Sequence, residues 1–105
     1  MEEKFKVRHH EVFDAWYENL KKRDPPCYGR ISTRLRRIRK AGGFGDCKPV
    51  GEGVAELRFH FGSGYRIYFT PLSSTQILLL CGGDKSSQVS DIEKAKMLAK
   101  EVRGG

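Results

Sequence analysis

The chain has 105 residues, of which 38% are hydrophobic, and a formal net charge of +7. That length is enough for one domain with a modest core, spanning residues 1–105, and leaves too little chain for a second. The charge favours a polyanionic partner such as nucleic acid, an anionic surface or an acidic protein, with ordinary solubility charge as the plainer alternative. Cys27, Cys47 and Cys81 are an odd set without Cys-x-x-Cys or Cys/His ligand spacing, so neither a zinc site nor a disulfide framework is expected. The start, Met-Glu-Glu-Lys, is not a signal peptide, and the longest strongly apolar run, Ile77 to Cys81, is far too short to span a bilayer. A cytoplasmic location and no membrane partner are therefore expected.

Lys4 to Arg8 sets Phe5 and Val7 against Lys4, Lys6 and Arg8, the alternation of a short strand with one face inward. Val12, Phe13, Trp16, Tyr17 and Leu20 recur at helical spacing and predict an amphipathic helix over about Glu11 to Lys22, with His9 and His10 facing solvent at its start. Asp24-Pro25-Pro26 signals a second helix. Asp24 can cap it, and Pro25 suits the first turn, where a missing N–H costs nothing. Ile31, Leu35 and Ile38 make its buried stripe, and Gly42-Gly43 ends it. Two helices joined by a tight turn form a hairpin that can lie across one face of a sheet.

The outer faces of the second helix carry Arg30, Arg34, Arg36, Arg37, Arg39 and Lys40, and no acid lies between Asp24 and Asp46. Pairing along the helix therefore does not explain them. Guanidinium forks match phosphate and carboxylate groups. An anion-binding surface and a plain solvated face both stay open.

Phe44 to Gly53 is Gly-rich around Lys48-Pro49 and predicts no regular element. Three antiparallel strands follow. In the first, Ala55, Leu57, Phe59 and Phe61 take one face, and Val54, Glu56, Arg58 and His60 the other. After a tight turn at Gly62-Ser63-Gly64, Tyr65, Ile67 and Phe69 oppose Arg66, Tyr68 and Thr70. If both apolar sets face one core, Arg58, His60, Arg66 and Tyr68 gather on the opposite face. A longer turn at Pro71 to Ser74 leads to the third strand, Gln76 to Cys81, whose two apolar faces predict a central, doubly covered position. Ser90-Asp-Ile-Glu93 reads as a capping box opening a last helix with the stripe Ile92, Ala95, Ala99 and Val102. The predicted order is β-α-α-β-β-β-α: an α+β fold with a helical hairpin on a mainly antiparallel sheet.

Gly82-Gly83-Asp84-Lys85-Ser86-Ser87 lacks the Gly-x-x-x-x-Gly-Lys-Ser/Thr spacing of a nucleotide loop. Its glycines better suit close passage of backbone at a strand end, with Lys85 projecting beside the next helix N-terminus. No nucleophilic triad, metal set or cofactor motif is supported by spacing, so no cofactor is expected. What remains is the set Arg58, His60, Arg66, Tyr68 and Lys85: cations for a phosphate, one base titrating near neutrality, and an aromatic for stacking. RNA carries its own nucleophile, the 2′-OH. Cleavage then needs a base for that hydroxyl, positive charge on the developing phosphorane and a proton for the leaving 5′-oxygen.

Gly53-Val-Ala-Glu-Leu-Arg58, Gly64-Tyr-Arg-Ile-Tyr68, Leu79-Leu-Cys-Gly-Gly-Asp-Lys-Ser-Ser-Gln88 and Phe44-Gly-Asp-Cys-Lys-Pro-Val50 together resemble the RelE/ParE toxin superfamily. The likeness is strongest to its HigB-like addiction-module killer branch. The resemblance implies the toxin of a type II toxin–antitoxin pair, neutralised by a small antitoxin, expected to be of helix-turn-helix type. RelE and HigB members cut mRNA in the ribosomal A site without a metal, which makes the ribosome and mRNA the implied partners. Carried onto this chain, the resemblance places Arg58, His60, Arg66 and Lys85 around the scissile phosphate. Arg58 and Arg66 would hold phosphorane charge, Lys85 would hold phosphate or protonate the leaving oxygen, and His60 would be the base. Arg30, Arg34, Arg37, Lys48 and Tyr68 are the expected RNA contacts. The chain departs from those toxins in having no tyrosine after Tyr68 and no histidine after His60. A ParE-like gyrase poison, which needs no base, and a non-catalytic RNA- or antitoxin-binding module are the alternatives on the same fold.

Overall fold

Alternation along the strands sorts side chains to two sides of a five-stranded sheet, and each side is closed by helix. The computed structural model describes residues 3–104. Its elements are β1 (Lys6–His9), α1 (Glu11–Arg23), α2 (Pro25–Ala41), β2 (Cys47–Gly51), β3 (Val54–Arg58), β4 (Arg66–Ser73), β5 (Gln76–Gly83), a 3₁₀ turn (Lys85–Ser87) and α3 (Gln88–Val102). The strand order is β1-β5-β4-β3-β2. All neighbours are antiparallel except β1 and β5, which run parallel. This is an α+β fold compatible with the RelE-like architecture. Strand β5 is covered on both sides as expected, but it lies second from the edge, between β1 and β4, and β4 is the central strand.

The α1–α2 hairpin covers one side. Phe13 and Leu20 of α1 and Ile31, Leu35 and Ile38 of α2 bury against Leu57, Phe59, Ile67, Phe69 and Leu79. His10 caps α1 by accepting from the Val12 N–H, and Asp24 caps α2 by accepting from the Cys27 N–H. Gly42 ends α2 in the left-handed region at φ 74°. At Gly82 no side chain fits: a Cβ there would run into the Trp16 ring.

Three further expectations are corrected. The connection after α2 contains a strand, β2, on the sheet edge. An edge tolerates Pro49, whose missing N–H can face solvent, and the β2–β3 register shifts beside it. The two-residue loop Glu52-Gly53, at φ 53° and 76°, turns the chain back in the doubly left-handed geometry of a tight hairpin. Second, β4 runs on through Pro71 to Ser73, so the turn to β5 falls at Ser74-Thr75. There β4 has outrun β3, which pairs only as far as Phe69. Third, Ser90 and Glu93 lie inside α3. The start signal lies earlier, where Asp84 and Ser87 form a reciprocal cap on the 3₁₀ turn that leads directly into the helix.

Helix α3 lies across the other side of the sheet. Ala95, Leu98 and Ala99 pack on Val54, Tyr68, Leu78 and Leu80, the alanines allowing close approach. The polar side of β3 and β4 is therefore roofed, not open. Arg103, just past α3, fastens the far end by donating to the Glu52 and Gly53 carbonyls and to Thr70.

Candidate functional site

The roofing splits the expected residues into two carboxylate-centred clusters at one end of the sheet. Arg58 and Arg66 are direct partners across β3 and β4, and Arg66 pairs with Gly83 of β5. Two residues on, Lys85 donates its N–H to the Ser63 carbonyl at 3.4 Å. Gly64 lies between them: a Cβ there would sit 3.3 Å from Lys85 Cβ and 3.7 Å from Arg66 Nη1. Arg58, Arg66 and Lys85 thus form one cationic row.

At the open end of the row stands Asp46, just before β2. Its Oδ1 accepts from Arg58 Nε and Nη2 at 3.3 and 3.1 Å, and its Oδ2 accepts from His60 Nε2 at 2.5 Å. The bonds from His60 and then from Arg58 hold the Asp46 carboxyl below the usual carboxylate range. A carboxylate only accepts, so the hydrogen on His60 lies on Nε2 and leaves Nδ1 free in the neutral ring. The His60 side chain is 71% exposed, against 34% for Asp46. A pocket of about 340 Å³ opens beside them, lined by Arg30, Thr33, Arg34, Arg37, Asp46, Arg58, Phe59, His60 and Phe61.

The second cluster lies under the start of α3. Glu56 is fully buried, and its Oε2 accepts from Tyr68 OH at 3.0 Å and Gln88 Nε2 at 2.8 Å. Arg66 Nε is 3.8 Å from the same oxygen, and Arg66 Nη1 donates to the Gly64 carbonyl. Burial, reinforced by the Glu56 charge, drives the Tyr68 phenol well above its ordinary value. Tyr68 is wholly buried and presents no face to a base, which corrects the stacking role expected of it.

Arg34 also differs from expectation. It donates to the carbonyls of Phe44, Asp46 and Arg58, and its guanidinium carbon lies 4.4 Å from the centroid of Phe59. It clamps α2 to the backbone on both sides of Asp46 and offers no fork to RNA. Arg30 and Arg37 are exposed on the pocket rim, as an RNA contact requires, whereas Lys48 is exposed on β2 and does not line the pocket. Asp46 and Glu56 were absent from the sequence-derived set. Both lie within motifs that carry the resemblance, Asp46 in the stretch from Phe44 to Val50 and Glu56 in that from Gly53 to Arg58, but the partners of Asp46 lie 12 and 14 residues away. Among the described residues no group of histidine, cysteine and carboxylate side chains could hold a metal ion.

The family model described as "Phage derived protein Gp49-like (DUF891)" matches residues 18–102. The chain belongs to the Gp49-like family. That family is a RelE-like toxin family of toxin–antitoxin systems, which implies an antitoxin as partner. An uncharacterized protein of Haemophilus influenzae is 43% identical over 91 residues, covering 87% of this chain and 89% of the relative. No solved structure matches significantly. The Gp49-like match spans Asp46, both carboxylate clusters and the arginines of α2. Among the described residues no helix is long and apolar enough to cross a membrane.

Proposed function

We propose that this Gp49-like protein is a type II toxin that cuts mRNA on the ribosome and is neutralised by its antitoxin. The observation that carries this reading is His60, held by Asp46 through Nε2 with Nδ1 directed away, at the end of the row Arg58, Arg66, Lys85. His60 Nδ1 takes the proton of a ribose 2′-OH. The oxygen attacks the adjacent phosphorus, the bond to the 5′-oxygen breaks, and a cyclic 2′,3′-phosphate and a 5′-hydroxyl result. Asp46 steadies the imidazolium that forms, as a carboxylate behind a catalytic histidine does. Lys85, exposed, and Arg58, half-buried against Asp46, supply positive charge for the phosphorane. Arg66, held beside Glu56, adds its field from below, and Lys85 gives the leaving oxygen its proton. Antitoxin binding over this cationic row would neutralise the protein.

The test is translation of a defined mRNA on purified ribosomes, with cut sites mapped by primer extension. His60→Gln is the better variant than Arg66→Ala, because Arg66 is half of a buried pair and its loss disturbs the fold. Wild type should give codon-phased cuts, and His60→Gln should lower their rate by about 10²- to 10⁴-fold, the usual worth of a positioned general base. Undiminished cutting by His60→Gln would remove the base from the scheme. Absence of cuts by wild type, with translation intact, would favour gyrase poisoning or a non-catalytic module.

A further inference from the structure

We propose that the groove between α2 and the β3–β4 turn is a nucleobase slot, which seats an unstacked purine of single-stranded RNA beside the scissile phosphate and selects where the strand is cut. It rests on the RNA-cleavage reading above and adds the chemistry of recognition. The floor is aromatic: the rings of Phe59 and Phe61 meet edge to face with centroids 5.8 Å apart. The Arg30 guanidinium carbon lies 4.0 Å from the centroid of Phe61. Arg30 is exposed, so the guanidinium plane, fixed from beneath by the ring, offers its outer face to a second planar group. Splayed RNA bases stack on such planes.

The polar groups argue for a base over a bare phosphate. A phosphate site wants several converging donors, but Arg34 is used up by backbone carbonyls and Arg58 turns its Nε and Nη2 to Asp46, leaving Arg30 and Arg37 on the rim. Thr33 has donated its one hydroxyl hydrogen to the Gly29 carbonyl at 3.0 Å, so toward the groove its oxygen can only accept. An acceptor there matches the exocyclic amine of adenine or guanine, and Arg37 can donate to a purine ring nitrogen or keto oxygen. Uracil has no such amine, and cytosine, which has one, offers only a single ring to stack on Arg30. The volume, about 340 Å³, suits one base rather than a peptide segment. His60 borders the same groove, so a base seated in it brings its own ribose toward Nδ1.

The experiment measures binding away from the ribosome by titration calorimetry with 2′-O-methyl trinucleotides, which cannot be cut. The probes are oligo-A, oligo-G and oligo-U, against wild type, Arg30→Ala and Thr33→Val, each checked for fold by circular dichroism. The two purine probes should bind at least about tenfold tighter than oligo-U. Arg30→Ala should lose roughly tenfold on purines, the scale of one stacking contact, and Thr33→Val should narrow the purine preference while leaving oligo-U unchanged. Equal binding of all three probes, or equal displacement of oligo-A by hexaglutamate, would overturn the slot in favour of a general anion or protein surface. Cut-site maps on ribosomes separate the two readings. If wild type cuts, yet Arg30→Ala and Thr33→Val keep its pattern and its probe affinities, the slot fails and cleavage stands. If wild type does not cut but the probes are discriminated, cleavage fails and the slot stands.

Discussion

Two clusters in this molecule use the same parts, a carboxylate, an arginine and a ring, to opposite ends. Around Asp46, the carboxylate is about one-third exposed, its imidazole partner is mostly in solvent, and both oxygens are satisfied. Around Glu56, the carboxylate is sealed beneath α3, and among the described residues Oε1 and the Arg66 Nε have no hydrogen-bond partner. Water screens the first cluster, so removing a member alters chemistry more than stability. No water screens the second, so removing a member leaves a charge stranded in the interior. Exposure, not composition, separates a group that can exchange protons with a substrate from a group that fastens a helix to a sheet.

The sharpest way to break this contrast is Glu56→Ala. It strands the Arg66 guanidinium and should cost about 3–5 kcal/mol in urea unfolding followed by circular dichroism, whereas Asp46→Ala should lower the urea midpoint far less while abolishing cleavage. Equal midpoints for the two variants would dissolve the distinction. Tyr68→Phe removes one of the two hydrogen bonds on Glu56 Oε2 and should cost about 1–3 kcal/mol. A neutral result would mean that Gln88 alone satisfies the carboxylate.

A pH series sharpens the comparison further. The Asp46 carboxyl is held below its ordinary value by His60 and Arg58. Its contribution is therefore present above the ordinary carboxylate pKa, near 4, and is lost as the pH falls through the depressed folded value. Asp24, held low mainly by the Cys27 contact, and Asp84, held low by Ser86, add acid sensitivity of the same sign. The stability difference between wild type and Asp46→Asn should be constant at neutral pH and shrink below about pH 4. A difference that persists into stronger acid would show that the carboxylate charge is not what matters. The smallest effect concerns Cys81, whose thiol burial pushes up to about 12. In the native protein at pH 8 it should resist iodoacetamide and react only after unfolding, as mass spectrometry would show.

Much of the fold was legible because it rests on periodicity. The stripes Phe13, Tyr17, Leu20 and Ile31, Leu35, Ile38 place the hairpin, and the alternation of Leu57 and Phe59 with Ile67 and Phe69 places the sheet side that it covers. The strand β2 was hidden because Pro49, Gly51 and Gly53 are loop signals everywhere except on a sheet edge. The covering of Tyr68 and Arg66 was hidden because alternation says which residues share a side and not whether a helix lies over it. Within the site, Arg58, Arg66 and Lys85 could be grouped from strand register. Arg34 could not be told from Arg30 and Arg37, since its captors are backbone carbonyls, which have no sequence signature. Asp46 was missed for the same kind of reason: a lone acid in a glycine-rich stretch becomes meaningful only when β2 brings it beside Arg58 and His60.

Trp16 is the single tryptophan of the chain. It stands over Gly82, where β5 leaves room for it, with its ring 6.2 Å from Tyr65. The one tryptophan fluorophore thus stands at the seam between hairpin and sheet, near the strand end that leads into Lys85. Its emission should shift red as soon as the hairpin lifts, before the rest of the sheet comes apart. Unlabelled protein therefore carries an optical gauge of that seam, readable in a stopped-flow trace when RNA or an antitoxin arrives.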